Sequence, residues 1–365
     1  MPLLPDAEAF KRLVDGSTRG LLPAAARGAL AGLAVPYALA VAARNAAYDR
    51  RLLPAARAHA PVVSVGNLTL GGTGKTPLVA WVAGSLAACG RRPAIVSRGY
   101  GARRGERSDE AAELGLLLPG VPHLADRDRV AAARRATAGG ADVVVLDDGF
   151  QHRRLARDLD IVAVDATDPF GGGRIFPRGL LREPLAGLGR AQAVVLTRAT
   201  SVDAGRRAEI RSRLADACRA ARVAMPPVWA EARHRPVRLR AAAGPERPLE
   251  SLAAARLVAF AGIGNPAAFR GSLESCGADL AAFQSFPDHH RYTADDLEGI
   301  GRRATGVRAD LVVTTLKDLV KIDRESLAGV PLFAVEIALD ILAGQDALES
   351  LLGRVTASVA GERPS

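Results

Sequence analysis

The run Val62-Val-Ser-Val-Gly-Asn-Leu-Thr-Leu-Gly-Gly-Thr-Gly-Lys-Thr-Pro77 has the order strand, glycine-rich turn, helix start. Val62 to Val65 form a short buried strand, and Leu78 to Ala88 continue from Lys75-Thr76 as a helix. Gly71, Gly72 and Gly74, with Thr73 between them, remove side chains, so consecutive backbone N–H groups can converge on phosphate oxygens at a helix N-terminus. Lys75 is placed to reach the β- and γ-phosphates, and the Thr76 hydroxyl to ligate magnesium. The strict pattern G-x-x-x-x-G-K-[ST] is broken at one place, where Thr69 stands for the first glycine.

Further along, Asp142 to Leu146 is a strongly apolar strand ending in Asp147-Asp148-Gly149-Phe150-Gln151-His152. Acids at the C-terminal end of a parallel strand face the phosphate loop in this class of fold, so Asp147 and Asp148 are the expected magnesium-side carboxylates. Strands are also expected at Ala94 to Ser97, Ile161 to Asp165 and Ala193 to Thr197, with a long helix over Val202 to Ala221. Between them, Thr167 to Pro184 is a Gly/Pro/Arg loop in which Arg174, Arg178 and Arg182 can clamp phosphate oxygens. Ser108-Asp109-Glu110 is read as lying in a polar loop, following the turn Arg98-Gly99-Tyr100-Gly101.

Pro226-Pro227 marks a boundary, after which Ala230 to Arg240 reads as an extended linker. Leu257 to Ala261 is a strand running into Gly262-Ile-Gly264-Asn-Pro266, a tight turn with proline at the helix start. Phe286-Pro-Asp288-His289-His290 precedes a helix capped by Thr293, so its histidines lie in a loop. Those residues lack the i, i+4 spacing of a metal pair, and a histidine beside a carboxylate suits proton transfer better. Strands at Leu311 to Thr315 and Leu332 to Ile337 and a helix over Ile341 to Val355 close the chain.

The totals narrow the class. With 365 residues the chain has room for two domains with real cores. Its formal charge of +10 comes almost wholly from arginine, since Lys11, Lys75, Lys317 and Lys321 are the only lysines. That bias, with no finger spacing, aromatic-rich strand or lysine run, argues against nucleic acid and leaves an anionic surface or substrate as the partner for the charge. Cys89, Cys218 and Cys276 lie far apart with no paired spacing, which fits a reducing compartment and argues against zinc or a disulfide framework. The uncharged apolar run Gly28 to Ala43 is flanked by arginines but is shorter than the roughly 18 to 20 residues that cross a bilayer, so a helix lying in the headgroup region is expected.

Taken together, Val65 to Pro77, Ser97 to Gly101, Asp147 to His152, Asp158 to Ile161, Leu181 to Pro184, Gly262 to Pro266, Phe286 to His290 and Val313 to Asp318 resemble the tetraacyldisaccharide 4′-kinase (lipid A 4′-kinase) family of Gram-negative bacteria. Thr69 in place of glycine is part of that family's pattern. The resemblance implies a phosphate-loop NTPase-like α/β/α sandwich, a second, smaller α/β/α domain joined by a two-stranded linker, and an N-terminal membrane-associated helix. It corresponds here to residues 1–50 as the amphiphilic segment, 51–228 as the kinase core completed by 341–365, and 229–340 as the smaller domain. It implies transfer of the ATP γ-phosphate to the 4′-hydroxyl of a tetraacylated glucosamine disaccharide 1-phosphate, with magnesium, at the cytoplasmic face of the inner membrane.

Position by position, the resemblance gives Lys75 and Thr76 the phosphate and magnesium roles, and Asp109 the catalytic carboxylate, with His289 its partner from the second domain. The two would then meet on domain closure. Gln151 and Arg129 join the phosphate group, and Arg182, Arg178 and Asn67 the lipid-substrate group. The alternatives are a metal-insertion GTPase, another phosphate-loop enzyme, or a non-catalytic membrane-bound nucleotide-binding protein. A GTPase should carry Asn-Lys-x-Asp after a strand, whereas the Lys-x-Asp at Lys321-Ile-Asp323 follows Val320.

Overall fold

The computed structural model describes residues 7–99, 108–242, 244–253 and 255–357. Tyr100 and Gly101 of the arginine-glycine turn, the polar residues up to 107, and the first six and last eight residues lie outside them. The chain divides into two compact units, one from described residues within 1–100, 117–234 and 339–365, the other from 101–116 and 235–338.

The first unit opens with α1 (Ala7–Asp15) and α2 (Leu21–Asp49), followed by β1 (Val62–Asn67), α3 (Lys75–Ala88) and β2 (Pro93–Ser97). After α4 (Asp109–Leu117), all of which but Leu117 belongs to the second unit, come β3 (His123–Ala125), α5 (Arg129–Ala138), β4 (Val143–Asp147), β5 (Leu159–Asp165), β6 (Ala193–Thr197), α6 (Ala204–Ala220) and β7 (Val228–Arg240), whose residues after His234 are counted with the second unit. Its strands are hydrogen-bonded in the order β7-β6-β5-β1-β4-β2-β3, every neighbouring pair parallel. Every residue of β1, β2, β4, β5 and β6 is buried, as a parallel sheet covered on both faces requires. Phe150, Val162, Leu196, Ile210 and Leu214 pack one apolar cluster, and Val62, Val96, Val144 and Leu146 another. This is the α/β, phosphate-loop NTPase-like class expected from the strand-turn-helix run.

The second unit contains β8 (Arg247–Pro248), β9 (Arg256–Ala261), α7 (Pro266–Ser275), β10 (Asp279–Ser285), α8 (Ala294–Gly306), β11 (Leu311–Thr315), α9 (Leu316–Leu319), β12 (Ser326–Leu327) and most of β13 (Val330–Ala343). Its parallel order is β10-β9-β11-β13. Asn265 caps α7 by accepting from the Ala268 N–H at 3.0 Å, with Pro266 at the first helical position. Thr293 and Asp296 form a reciprocal capping box on α8. The last helix, α10 (Gln345–Ala357), begins four residues later than Ile341, because β13 keeps its extended backbone through Ala343 and Gly344 turns at φ +80°.

The N-terminal helix also differs from expectation. α2 runs for 29 residues through Pro36, because apolar and alanine-rich sequence continues on both sides of the expected run. By length and composition it is long enough to cross a membrane. Leu21, Leu22, Leu33, Val35 and Leu39 project from it exposed, whereas Val41 is buried.

Candidate active site

The phosphate loop is shaped by what precedes it. After β1, Leu68 to Leu70 run extended against Leu180 to Arg182: the Leu70 N–H donates to the Leu180 carbonyl and the Arg182 N–H to the Leu68 carbonyl, each at 2.7 Å. Thr69 is therefore in strand-like backbone and needs no glycine. The bend comes at Gly71 (φ +109°) and Gly74 (φ +75°). A Cβ on Gly71 or Gly72 would meet nothing within 4 Å, so that side of the loop is open. At Gly74 a Cβ would lie 2.6 Å from both Cε1 and Nε2 of His234, so glycine is required there on two counts.

The loop is held through its own carbonyls. Thr197 Oγ1 donates to the Thr73 carbonyl at 2.8 Å and Arg198 to the Gly72 carbonyl at 3.0 Å, while Arg198 also pairs with Asp165. Asn67 Nδ2 donates to the Thr69 carbonyl (2.7 Å) and Thr73 Oγ1 (3.0 Å), and its Oδ1 accepts from Lys75 Nζ at 3.2 Å. Asn67, expected among the lipid-substrate residues, thus has its polar atoms engaged inside the phosphate loop. His234 Nε2 is fully buried and has no hydrogen-bond partner. Burial and then the Arg198 charge push the His234 pKa down to about 3, so a neutral ring packs on the loop.

Asp147, buried, ends β4 in register with Val65, and the chain then enters left-handed backbone at Asp148 (φ +52°). Such backbone in a residue with a Cβ costs about 1–3 kcal/mol and recurs at functional positions. Asp148 accepts from Arg182 with both oxygens, at 2.9 and 2.8 Å, and lies 3.3 Å from Lys75 Nζ. Burial alone would raise its pKa, but the Lys75 and Arg182 charges outweigh that and hold the carboxyl far below the usual range. Arg129, buried, donates to the Asp148 carbonyl at 2.8 Å. Gln151 Nε2 donates to the Asn67 carbonyl and to Glu183 Oε1, both at 2.9 Å.

Glu183 is the residue in this cluster that sequence reasoning did not assign. Its carboxylate is completely buried, paired with Arg190 through both oxygens (2.9 and 2.8 Å), and accepts from Asn45 of α2 at 3.1 Å. The Tyr37 hydroxyl, also on α2, donates to the Arg182 carbonyl at 3.2 Å, and Arg178 donates to the Val14 carbonyl of α1 at 2.9 Å. The N-terminal helices therefore hold the loop that carries Arg178, Arg182 and Glu183. Nothing in the spacing of Asn45 and Glu183 along the chain signals that contact.

In the second unit, Asp109 is the first residue of α4 rather than part of a loop. Ser108 Oγ accepts from the Ala111 N–H at 3.3 Å, and the helix N-terminus favours the Asp109 charge. Asp109 Oδ2 lies 3.2 Å from His289 Nδ1. The His289 hydrogen bond, joined by the Lys321 charge 3.8 Å away, outweighs burial and lowers the Asp109 pKa. Both residues belong to one compact unit, residues 101–116 grouping with 235–338, whereas the sequence expectation placed them on different domains.

His289 has left-handed backbone (φ +59°), pinned by its N–H donating to the Gly262 carbonyl at 3.2 Å and to Asp288 Oδ1 at 3.0 Å. Gly262 is fixed by Asp318, which accepts its N–H at 2.9 Å. His290 serves the frame: Nε2 meets Asp296 at 3.0 Å and its ring stacks on Phe286 at 4.7 Å.

A model of the family described as Tetraacyldisaccharide-1-P 4'-kinase matches residues 26–356. The chain belongs to the tetraacyldisaccharide 4′-kinase family. It is 45% identical over 350 residues to the tetraacyldisaccharide 4'-kinase of Anaeromyxobacter dehalogenans (strain 2CP-C), covering 89% of this chain and 91% of that protein. It is 41% identical to that of Syntrophus aciditrophicus (strain SB), covering 78% and 82%. A crystal structure of LpxK from Aquifex aeolicus in complex with ATP superposes with a TM-score of 0.70 at 29% identity, over 90% of this chain and 99% of that one. As a tetraacyldisaccharide 4′-kinase family member the chain is a kinase of lipid A biosynthesis. The metal-insertion GTPase and scaffold alternatives are set aside by that membership.

Proposed function

We propose that this enzyme transfers the γ-phosphate of ATP directly, in line, to the 4′-hydroxyl of a tetraacylated glucosamine disaccharide 1-phosphate. Gly71 to Thr76 cradle the phosphates, with Lys75 as the compact cation on the β- and γ-oxygens and Arg129 and Gln151 holding the acidic turn beside it. Arg182 and Arg178 face the anionic lipid headgroup, and Asn67 fixes the loop. The hydroxyl oxygen attacks phosphorus, the bond to the ADP oxygen breaks, and Asp109 accepts the hydroxyl proton late in that step. A carboxylate of lowered pKa is a weak base, and it suffices where bond making is late and proton transfer follows it. His289 orients that carboxylate. The division at 51–228 with 341–365, and 229–340, is kept as the functional one, apart from the α4 start that carries Asp109.

The residues present fit a magnesium ion. The loop is open at Gly71 and Gly72, and Asp147, Asp148 and the Thr76 hydroxyl supply hard oxygen donors. Among the described residues no cluster of three or more His, Cys, Asp or Glu forms a metal cage, and magnesium needs none, since phosphate oxygens and water complete its shell. Bound there, the ion would neutralise charge on the phosphates.

The exposed apolar residues of α2, flanked by arginines, support peripheral or monotopic attachment to the cytoplasmic face of the inner membrane, where the lipid acceptor resides. The observation that carries the catalytic reading is the 3.2 Å contact of Asp109 with His289 in a chain that also holds a phosphate loop. Purified protein is tested with labelled ATP and a tetraacyldisaccharide 1-phosphate, beside Lys75→Ala and Asp109→Ala. Product labelled at the 4′ position with wild type and loss in both variants is expected; full transfer by both variants would sink the mechanism.

A further inference from the structure

Only four of the 49 basic residues are lysines, and two of those, Lys317 and Lys321, stand beside the Asp109–His289 pair. β11 ends at Thr315, whose side chain caps α9 by accepting from the Asp318 N–H at 3.2 Å. Asp318, buried, accepts from Thr315 Oγ1 (2.7 Å), Lys321 Nζ (2.8 Å) and the Gly262 N–H (2.9 Å). Gly262 in turn holds His289 through its carbonyl. One carboxylate therefore ties the short helix that bears Lys317 to the turn that sets His289.

Lys317 Nζ lies 3.0 Å from Asp288 Oδ1 and 3.2 Å from His289 Nε2. An ammonium has three N–H donors and no lone pair, and one of its N–H groups is directed to the Asp288 carboxylate. His289 Nε2 must then be the acceptor, with no hydrogen of its own. The single ring proton is left on Nδ1, 3.2 Å from Asp109 Oδ2.

We infer that Lys317 is a positioning residue that locks His289 in its neutral Nδ1–H tautomer, so that His289 donates to Asp109 and cannot take a proton from it. Asp109 Oδ2 is then an acceptor from the ring, the carboxylate stays ionised, and its other oxygen is left for the acceptor hydroxyl. The proton removed from that hydroxyl ends on Asp109, not on the imidazole. An arginine would not substitute well: its planar fork would pair both nitrogens with Asp288 rather than spend one N–H on the ring. The consequence for catalysis rests on Asp109 being the base, as proposed above; the tautomer does not.

The test is a long-range ¹H–¹⁵N correlation spectrum of full-length protein carrying ¹⁵N-histidine, with the His289 ring assigned by its loss in His289→Asn. Wild type should show a protonated Nδ1 and a bare Nε2. Lys317→Met should shift the ring to a mixture of forms and lower turnover about 10²-fold, with the ATP KM within about twofold. Lys317→Arg should recover only part of either. A wild-type ring protonated at Nε2, or a ring unchanged in Lys317→Met, overturns the proposal. The wild-type spectrum decides the tautomer by itself, so a variant that fails to fold does not remove the test. Full activity in Asp109→Ala would instead overturn the base assignment and leave the tautomer lock standing.

Discussion

The phosphate loop and the Asp109 cluster each hold charged groups in fixed positions, and they are built from the chain in opposite ways. The loop and its lysine come from one contiguous run, Val62 to Pro77, whose bends are set by two glycines at positive φ. The Asp109 cluster draws Asp109, Asp288–His289 and Lys317 from three distant places, 180 residues separating the histidine from its aspartate. Each has a residue with a Cβ in left-handed backbone at hand: Asp148, paired with the loop's Lys75, in one unit, and His289, within the cluster, in the other. In the loop, backbone geometry does the positioning and side chains add charge; in the cluster, a network of side chains around Asp318 does it. Damage should therefore spread differently in the two.

The largest effect is expected from Lys75→Ala. It removes the loop's own cation and leaves Asp148 with Arg182, so transfer of label to lipid should fall by on the order of 10³-fold, with weaker ATP binding. Retained transfer would mean that the loop's charge comes from arginine alone. Gly74→Ala should follow. The new Cβ meets His234 at 2.6 Å and the residue must keep φ near +75°, a combined cost of about 2–3 kcal/mol in thermal or denaturant unfolding. Adding His234→Ala should relieve the collision and leave the backbone strain, so partial recovery is the expected reading. No recovery would mean that the ring is not what restricts position 74.

Acid should separate the units further. Asp148 has a folded pKa depressed below its unfolded value, so the unfolded chain takes up the proton first. The stability it contributes is complete above the unfolded pKa, about 4, and is lost as pH falls below it. In denaturant titrations the wild type should exceed Asp148→Asn at neutral pH, with the gap narrowing below about pH 4; a constant gap contradicts this. The smallest effect is expected from Asn45→Ala, which cuts one hydrogen bond from α2 to Glu183 while Arg190 and Gln151 keep theirs. About 1 kcal/mol or less of stability should be lost, with a modest fall in turnover and unchanged vesicle binding. A fall in vesicle binding would show instead that Asn45 serves the membrane face.

The contrast also explains what could be read from the sequence. The loop was legible because strand, bend, lysine and helix are adjacent, and the acids at Asp147 and Asp148 because an apolar strand announces its own C-terminal end. His289 was reachable as a histidine beside a carboxylate, while Asp109, in a polar stretch without periodicity, came from family resemblance and was misread as a loop residue. Lys317, Glu183 and His234 were not assigned, since each acts through a contact made only in three dimensions. The scarcity of lysine was the one available signal for Lys317 and Lys321. The length of α2 was underestimated because Pro36, Arg27 and Arg44 bound or divide the apolar run, whereas the helix passes through these three.

The division of labour between loop and cluster is tested most directly by measuring ATP affinity and lipid phosphorylation on the same preparation of Asp109→Asn. Turnover should fall by on the order of 10²-fold while the ATP Kd stays within about twofold of wild type. Turnover and ATP affinity falling in step, or turnover unchanged, would contradict the assignment of proton acceptance to the Asp109 cluster and phosphate binding to the loop.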